Sequence, residues 1–174
     1  MKSILSFAFI IIFFSALSIG IESSSASEDV PTIKKDEFDP WPWCDKRFPA
    51  VSDKVQKVGL ENTSKREQVM YVLYLLVGEV WNGGFEQYYS NSSGEHALEA
   101  YELLLEVGSK NSARILKKAN NLFPGGKPHK DRDIRNAQLE KIPSIEFERL
   151  DKEFVENNPE GYVYEYIWRY WTKK

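Results

Sequence analysis

Cysteine is nearly absent from this 174-residue chain: Cys44 stands alone, so no internal disulfide is available and the fold has to rest on its core. Cys44 is flanked by Pro40-Trp41-Pro42-Trp43, which reads as a packed, poorly reactive thiol. Histidine is almost as scarce. His96 and His129 are the only two, with no spacing of the kind that builds a zinc site, so no metal ligand set and no cofactor are expected. Charge of one sign is also missing, since 23 basic and 26 acidic residues leave a net charge of −3. Lysine and arginine are scattered among aspartate and glutamate, which removes the basic footprint of a nucleic-acid binder, and direct nucleic-acid binding is not expected. Gly83-Gly84 and Gly125-Gly126 lack the Lys-Ser/Thr of a phosphate loop, and Ser92 and Ser93 have no nucleophile-elbow context.

Hydrophobic residues are plentiful at 42%, and aromatics reach 14%, enough for a substantial core. Met1-Lys2 precedes an apolar run over 4–21, followed by Ser23-Ser24-Ser25-Ala26. One basic residue, an apolar stretch and a small-residue exit predict a secretory signal over 1–26, cleaved between Ala26 and Ser27. The predicted location is therefore exported, periplasmic or secreted. The run is also long enough to span a bilayer, so the competing reading is membrane anchoring through residues 4–21, and contact with a membrane is expected only in that case. Residues 27–50, with four prolines, two tryptophans and Phe48, read as an extended arm docked on the rest.

From residue 51 to the C-terminus the pattern is helical. Ser64-Lys-Arg-Glu67 has capping-box spacing and opens a helix that is apolar on nearly every face, which places it mid-domain. It is predicted to end near Trp81, with Asn82-Gly83-Gly84 supplying residues that tolerate a helix terminus. Ser92-Ser-Gly-Glu95 repeats the cap spacing and is expected to start a second long helix. Further helices are predicted from Ser109 or Asn111, over 131–141 and over 144–156. The aromatic 162–171 segment fits both strand and helix periods, and its all-helical surroundings favour a helix. The predicted fold is an all-α, single-domain bundle of six to seven helices.

The run from Glu79 to Gly94 is the most distinctive stretch, with three glycines, two asparagines, four aromatics and two carboxylates. Glu79, Val80, Asn82, Gly83, Gly84, Phe85, Gln87, Tyr88, Asn91, Ser92, Ser93 and Gly94 resemble the signature of the bacterial DNA-mimic protein family, C-terminal domain. Tyr89 stands where phenylalanine is usual. Ala97, Ala100, Gly108, Ala113, Ala119, Phe123-Pro124 and the 131–135 stretch continue the similarity. The resemblance implies a helical fold and a protein partner; its named member is an acidic dimer that occupies the DNA site of a transcription factor, so a homodimer is the assembly it implies. Export would keep this chain from such a target.

Glu79 and Glu86 are the candidates for paired-carboxylate hydrolase chemistry. The preferred reading is structural: Glu79 accepts from the Gly83-Gly84 backbone or from Asn91, and Asn82, Gln87 and Asn91 bridge turn groups. Trp81, Phe85, Tyr88 and Tyr89 are expected in the core rather than around a ligand. Glu95, Glu99, Glu102 and Glu106 recur at helical spacing as a candidate partner-binding face. The sequence reading is thus an exported protein-binding module. A secreted hydrolase using Glu79 and Glu86 is the first alternative, and a true acidic DNA mimic, if the chain is not exported, is the second.

Overall fold

The computed structural model describes residues 39–157 and 161–173, and every described regular element is helical. The seven α-helices are α1 (Pro40–Val58), α2 (Lys65–Ser90), α3 (Ala97–Val107), α4 (Lys110–Asn120), α5 (Arg132–Leu139), α6 (Ser144–Asn157) and α7 (Gly161–Thr172). The all-α expectation holds, and 162–171 is helix. The signal segment, with Ala26 and Ser27, lies outside the described residues.

Helix α2 is the hub, packing against α1, α3, α5, α6 and α7. Its sequence dictates this: Val69, Met70, Val72, Leu73, Leu76, Val77 and Val80 cover most of its circumference, and all are buried. The capping box at its start is complete. Ser64 Oγ accepts from Glu67 N, and the Glu67 carboxylate accepts from Ser64 N at 2.8 Å. The outer helices pair as α1 with α7, α3 with α4, and α4 with α6, each adding one apolar stripe: Val51 and Val55 from α1, Leu103 and Leu104 from α3, Ile115 and Leu116 from α4, Phe147, Leu150 and Phe154 from α6, and Val163, Tyr164 and Ile167 from α7.

Two expectations are corrected. Residues 40–50 are the first half of α1 and not an extended arm. Asp39 is its N-cap, accepting from Trp41 N at 3.0 Å, and Pro40 sits at the first helical position, where no backbone N–H is needed. Pro42 is also early enough to be tolerated, while Pro49 is carried inside the helix. The second correction concerns Ser92. It does not cap a long helix; Ser92–His96 is a 3₁₀ turn, and α3 starts only at Ala97.

Candidate functional site

The Glu79–Gly94 run is a helix break clasped from three directions. Gly83 (φ −159°, ψ 26°) and Gly84 (φ 74°, ψ −176°) leave helical geometry, so α2 continues past them on a shifted axis through Phe85 to Ser90. The Gly84 conformation is essentially reserved for glycine. A break of this kind strips the next amides of their intrahelical acceptors. Phe85 N–H finds one across the bundle, donating to Asp151 Oδ1 of α6 at 2.7 Å. Burial raises the Asp151 carboxyl above its usual range, the Phe85 N–H pulls it back, and Glu86 and Glu148 push it up again.

Glu79, one turn before the break, is the second clasp. Gln87 Nε2 donates to Glu79 Oε2 at 2.6 Å, Asn91 Nδ2 donates to the same oxygen at 2.8 Å, and Ser93 Oγ approaches Oε1 at 3.5 Å. Asn82 Nδ2 donates in turn to Gln87 Oε1 at 3.0 Å. The motif's amides therefore bridge helix, break and turn through side chains. The expected bond from Asn91 is present; the other donor to Glu79 is the Gln87 side-chain amide and not the Gly83-Gly84 backbone.

Arg135 of α5 is the third clasp, and sequence reasoning missed it. Its side chain is fully buried. Nε donates to Tyr89 O at 2.7 Å and Nη2 to Asn91 O at 2.8 Å, while Nη1 donates to His129 O at 2.7 Å and Lys130 O at 2.8 Å. A Cβ on Gly94 would lie 2.8 Å from Arg135 Nε and 2.9 Å from Tyr88 O, which explains glycine there. Arg132 adds a bond from Nε to Ser90 O at 2.7 Å. The only local hint was the charged stretch over 131–135.

The motif's aromatics divide. Phe85, Tyr88 and Tyr89 are fully buried, with Phe85 edge-on to Phe154 at 5.5 Å and Tyr89 against Phe123 at 4.6 Å. Tyr89 Oη donates to Asn120 Oδ1 at 2.6 Å. Trp81 is 37% exposed, so the four rings do not enclose a common pocket. Glu86 points elsewhere as well: Ser144 Oγ donates to it at 2.8 Å, and among the described residues it shares no bonding partner with Glu79.

The acidic row is only partly a helix face. Glu95 lies on the 3₁₀ turn, and His96 sits between Glu95 (3.0 Å) and Glu99 (3.4 Å). Glu106 is tied to Lys65 at 3.1 Å and accepts from the Tyr170 hydroxyl. Glu102 is exposed on α3 between Leu98 and Leu105, which are 40% and 41% exposed. Among the described residues no group of three His, Cys, Asp or Glu side chains is placed to hold a metal ion. Cys44 is buried with Sγ directed at Tyr164 O, and burial pushes its thiol up to about 12.

The sequence model of the DMP19-like protein family matches residues 61–170, from just before α2 to near the end of α7. The chain belongs to the DMP19-like protein family. No curated protein and no solved structure matches it. The family segment contains all three clasps, Asp151, Glu79 and Arg135, whereas α1 lies before it.

Proposed function

We propose that this chain is an exported helical binding module whose partner is a protein, with the outer face of α3 as the contact surface. The observation that carries this reading is the pair of exposed leucines, Leu98 and Leu105, flanked by Glu99 and Glu102. An apolar strip with a charged rim is the composition of a protein-contact patch. Binding is favoured over hydrolase chemistry because Glu79 already accepts from Gln87 and Asn91, while Glu86 is bonded separately by Ser144. Two carboxyls facing each other across a cleft are the requirement for glycosidase-type chemistry. A strongly phosphate-like acidic row is disfavoured by Lys65 on Glu106 and by His96 between Glu95 and Glu99. Export rests on the apolar 4–21 run and the small residues before Ser27.

The test has two arms. An epitope-tagged chain is fractionated in its host and its mature N-terminus sequenced; processing near Ala26 and recovery outside the cytoplasm are expected. A cytoplasmic, unprocessed chain overturns export and returns the DNA-mimic alternative. In the second arm, the partner captured by the wild-type protein is lost by Leu98→Lys/Leu105→Lys; undiminished capture removes α3 as the contact face.

A further inference from the structure

We propose that the α1 stripe of Trp43, Lys46, Arg47 and Ala50, together with Trp171 of α7, docks the phosphate headgroup of an anionic phospholipid at a membrane surface. The α1 positions recur at three and four residues, so they share one face, and Lys54 extends it by a turn. Trp171 stands edge-on to Trp43 with ring centroids 6.0 Å apart. The Arg47 guanidinium lies over the Trp43 ring, 3.8 Å from its centroid. Beside them is an open depression of about 440 Å³ lined by Lys46, Arg47, Ala50, Val51, Glu67 and Trp171.

The charges around this depression favour an anion. The Glu67 carboxylate is held by Lys54 at 2.8 Å and by the Ser64 backbone, so its charge is committed to the helix cap. Asp45 accepts from the Tyr74 hydroxyl at 2.8 Å, and Asp39 caps the first turn. Among the described residues neither Lys46 nor Arg47 meets a carboxylate; the bond from Arg47 goes to Trp43 O at 3.3 Å. Two available cations beside two partly exposed indoles is the mixture found at the headgroup level of a bilayer.

The shape separates a lipid from a dissolved anion. An open dish covers one side of its ligand, so a free amphiphile would leave its apolar body in water. A phospholipid keeps its tails in the bilayer while its phosphate meets Lys46 and Arg47. Trp43, Lys46, Arg47, Ala50 and Trp171 lie outside the family-matched segment 61–170, while Glu67 of the same depression lies within it. The proposal draws on the export reading only to bring the protein to a bilayer, and the assay below does not use that reading.

The test uses the chain from Ser27 onward, because the apolar 4–21 run would itself insert into vesicles. Among the described residues every core residue lies between Cys44 and Ile167, within one compact unit that starts after Ser27, so the chain from Ser27 retains that core. Cosedimentation with mixed phosphatidylglycerol–phosphatidylcholine vesicles is expected, weakening with salt, against little on phosphatidylcholine alone. Lys46→Glu/Arg47→Glu should lower the partition about tenfold or more. Exposed Lys46→Glu alone should lower it by a smaller factor with an unchanged circular dichroism spectrum, and Lys110→Glu/Lys117→Glu on α4 should leave it unchanged. Equal partition onto neutral vesicles overturns the proposal. So does undiminished binding by both α1 variants, an equal loss in the α4 variant, or full release by millimolar inorganic phosphate at constant ionic strength. Cytoplasmic retention of the tagged protein would sink export while leaving a positive vesicle result standing.

Discussion

Replacing Arg135 by methionine tests whether the family motif is held from outside itself. Methionine fills a similar volume and adds no polar group, so the change removes donors without opening a large cavity. The guanidinium makes four bonds of 2.7–2.8 Å to the carbonyls of Tyr89, Asn91, His129 and Lys130. A hydrogen bond to a charged partner contributes about 1.5–3 kcal/mol, but four on one side chain do not add independently. A buried carbonyl left without its donor costs about 1–3 kcal/mol, less where water can reach it, so a net loss of about 3–5 kcal/mol for the four together is the expectation here. It is a large share of a typical net stability of about 5–15 kcal/mol.

Urea unfolding followed by circular dichroism reads this directly: the midpoint should fall while the slope stays constant. The matching drop in Tm is about 6–20 °C, from about 2–4 °C per kcal/mol for a chain of this length. Arg135→Lys keeps the charge but loses the planar fork, so its loss should be intermediate. Amide exchange should rise first between Ser90 and His96, the turn that Arg135 ties to α5. A loss below about 1 kcal/mol for Arg135→Met at constant slope would refute the clasp.

Two further expectations come from neighbouring side chains. The buried Tyr88 hydroxyl meets no protein partner among the described residues, so Tyr88→Phe should be neutral or slightly stabilising in the same unfolding assay. Tyr89→Phe breaks the 2.6 Å bond to Asn120 and should cost about 1–2 kcal/mol; equal losses for the pair would contradict the assignment. Asp151→Asn keeps an acceptor for Phe85 N while removing a charge whose ionisation burial disfavours. Because the folded carboxyl titrates above the unfolded one, its ionisation weakens the fold as pH rises through that raised value. The variant should be more stable than the parent at neutral pH and lose this advantage as pH falls below the ordinary aspartate range. A neutral-pH loss would show that the carboxylate charge itself stabilises the break.

What the sequence disclosed was mainly local. The Ser64–Glu67 cap, the break at Gly83-Gly84 and the central position of α2 follow from spacing and residue type within one or two turns. Helix α1 was also marked locally, by Asp39 before Pro40, a cap followed by a proline at the first helical position; four prolines in 31–49 outweighed that signal. Asp151 and Arg135 could not be read this way. They lie 66 and 46 residues from their backbone partners at Phe85 and Tyr89, and an exposed-looking charge on an amphipathic helix carries no periodic mark of where it will dock. The half-buried Glu79 network was foreseen in type, since a carboxylate at the end of an apolar helix needs donors, and Asn91 was within reach.

The fate of the motif's polar groups decides where function can reside. Asn82, Gln87, Asn91 and Glu79 bond to one another, Phe85 N is taken by Asp151, and the turn carbonyls of Tyr89 and Asn91 are taken by Arg135. Groups satisfied internally have little left to offer a ligand, and changing any of them leaves a partner unsatisfied in a poorly solvated place. Such a cluster specifies a backbone path and constrains the sequence strongly, without setting what the protein binds. Specificity has to come from surfaces that the clasp holds in position but does not use: the Leu98–Glu102–Leu105 strip, which begins where the Arg135-tied turn ends, and the Trp43–Arg47 stripe, which precedes the family segment altogether. Loosening Arg135 should therefore disturb the first surface and spare the second, because α1 packs on α2 and α7 and, among the described residues, its side-chain bonds to them go to Glu67, Tyr74 and Tyr164, away from the break.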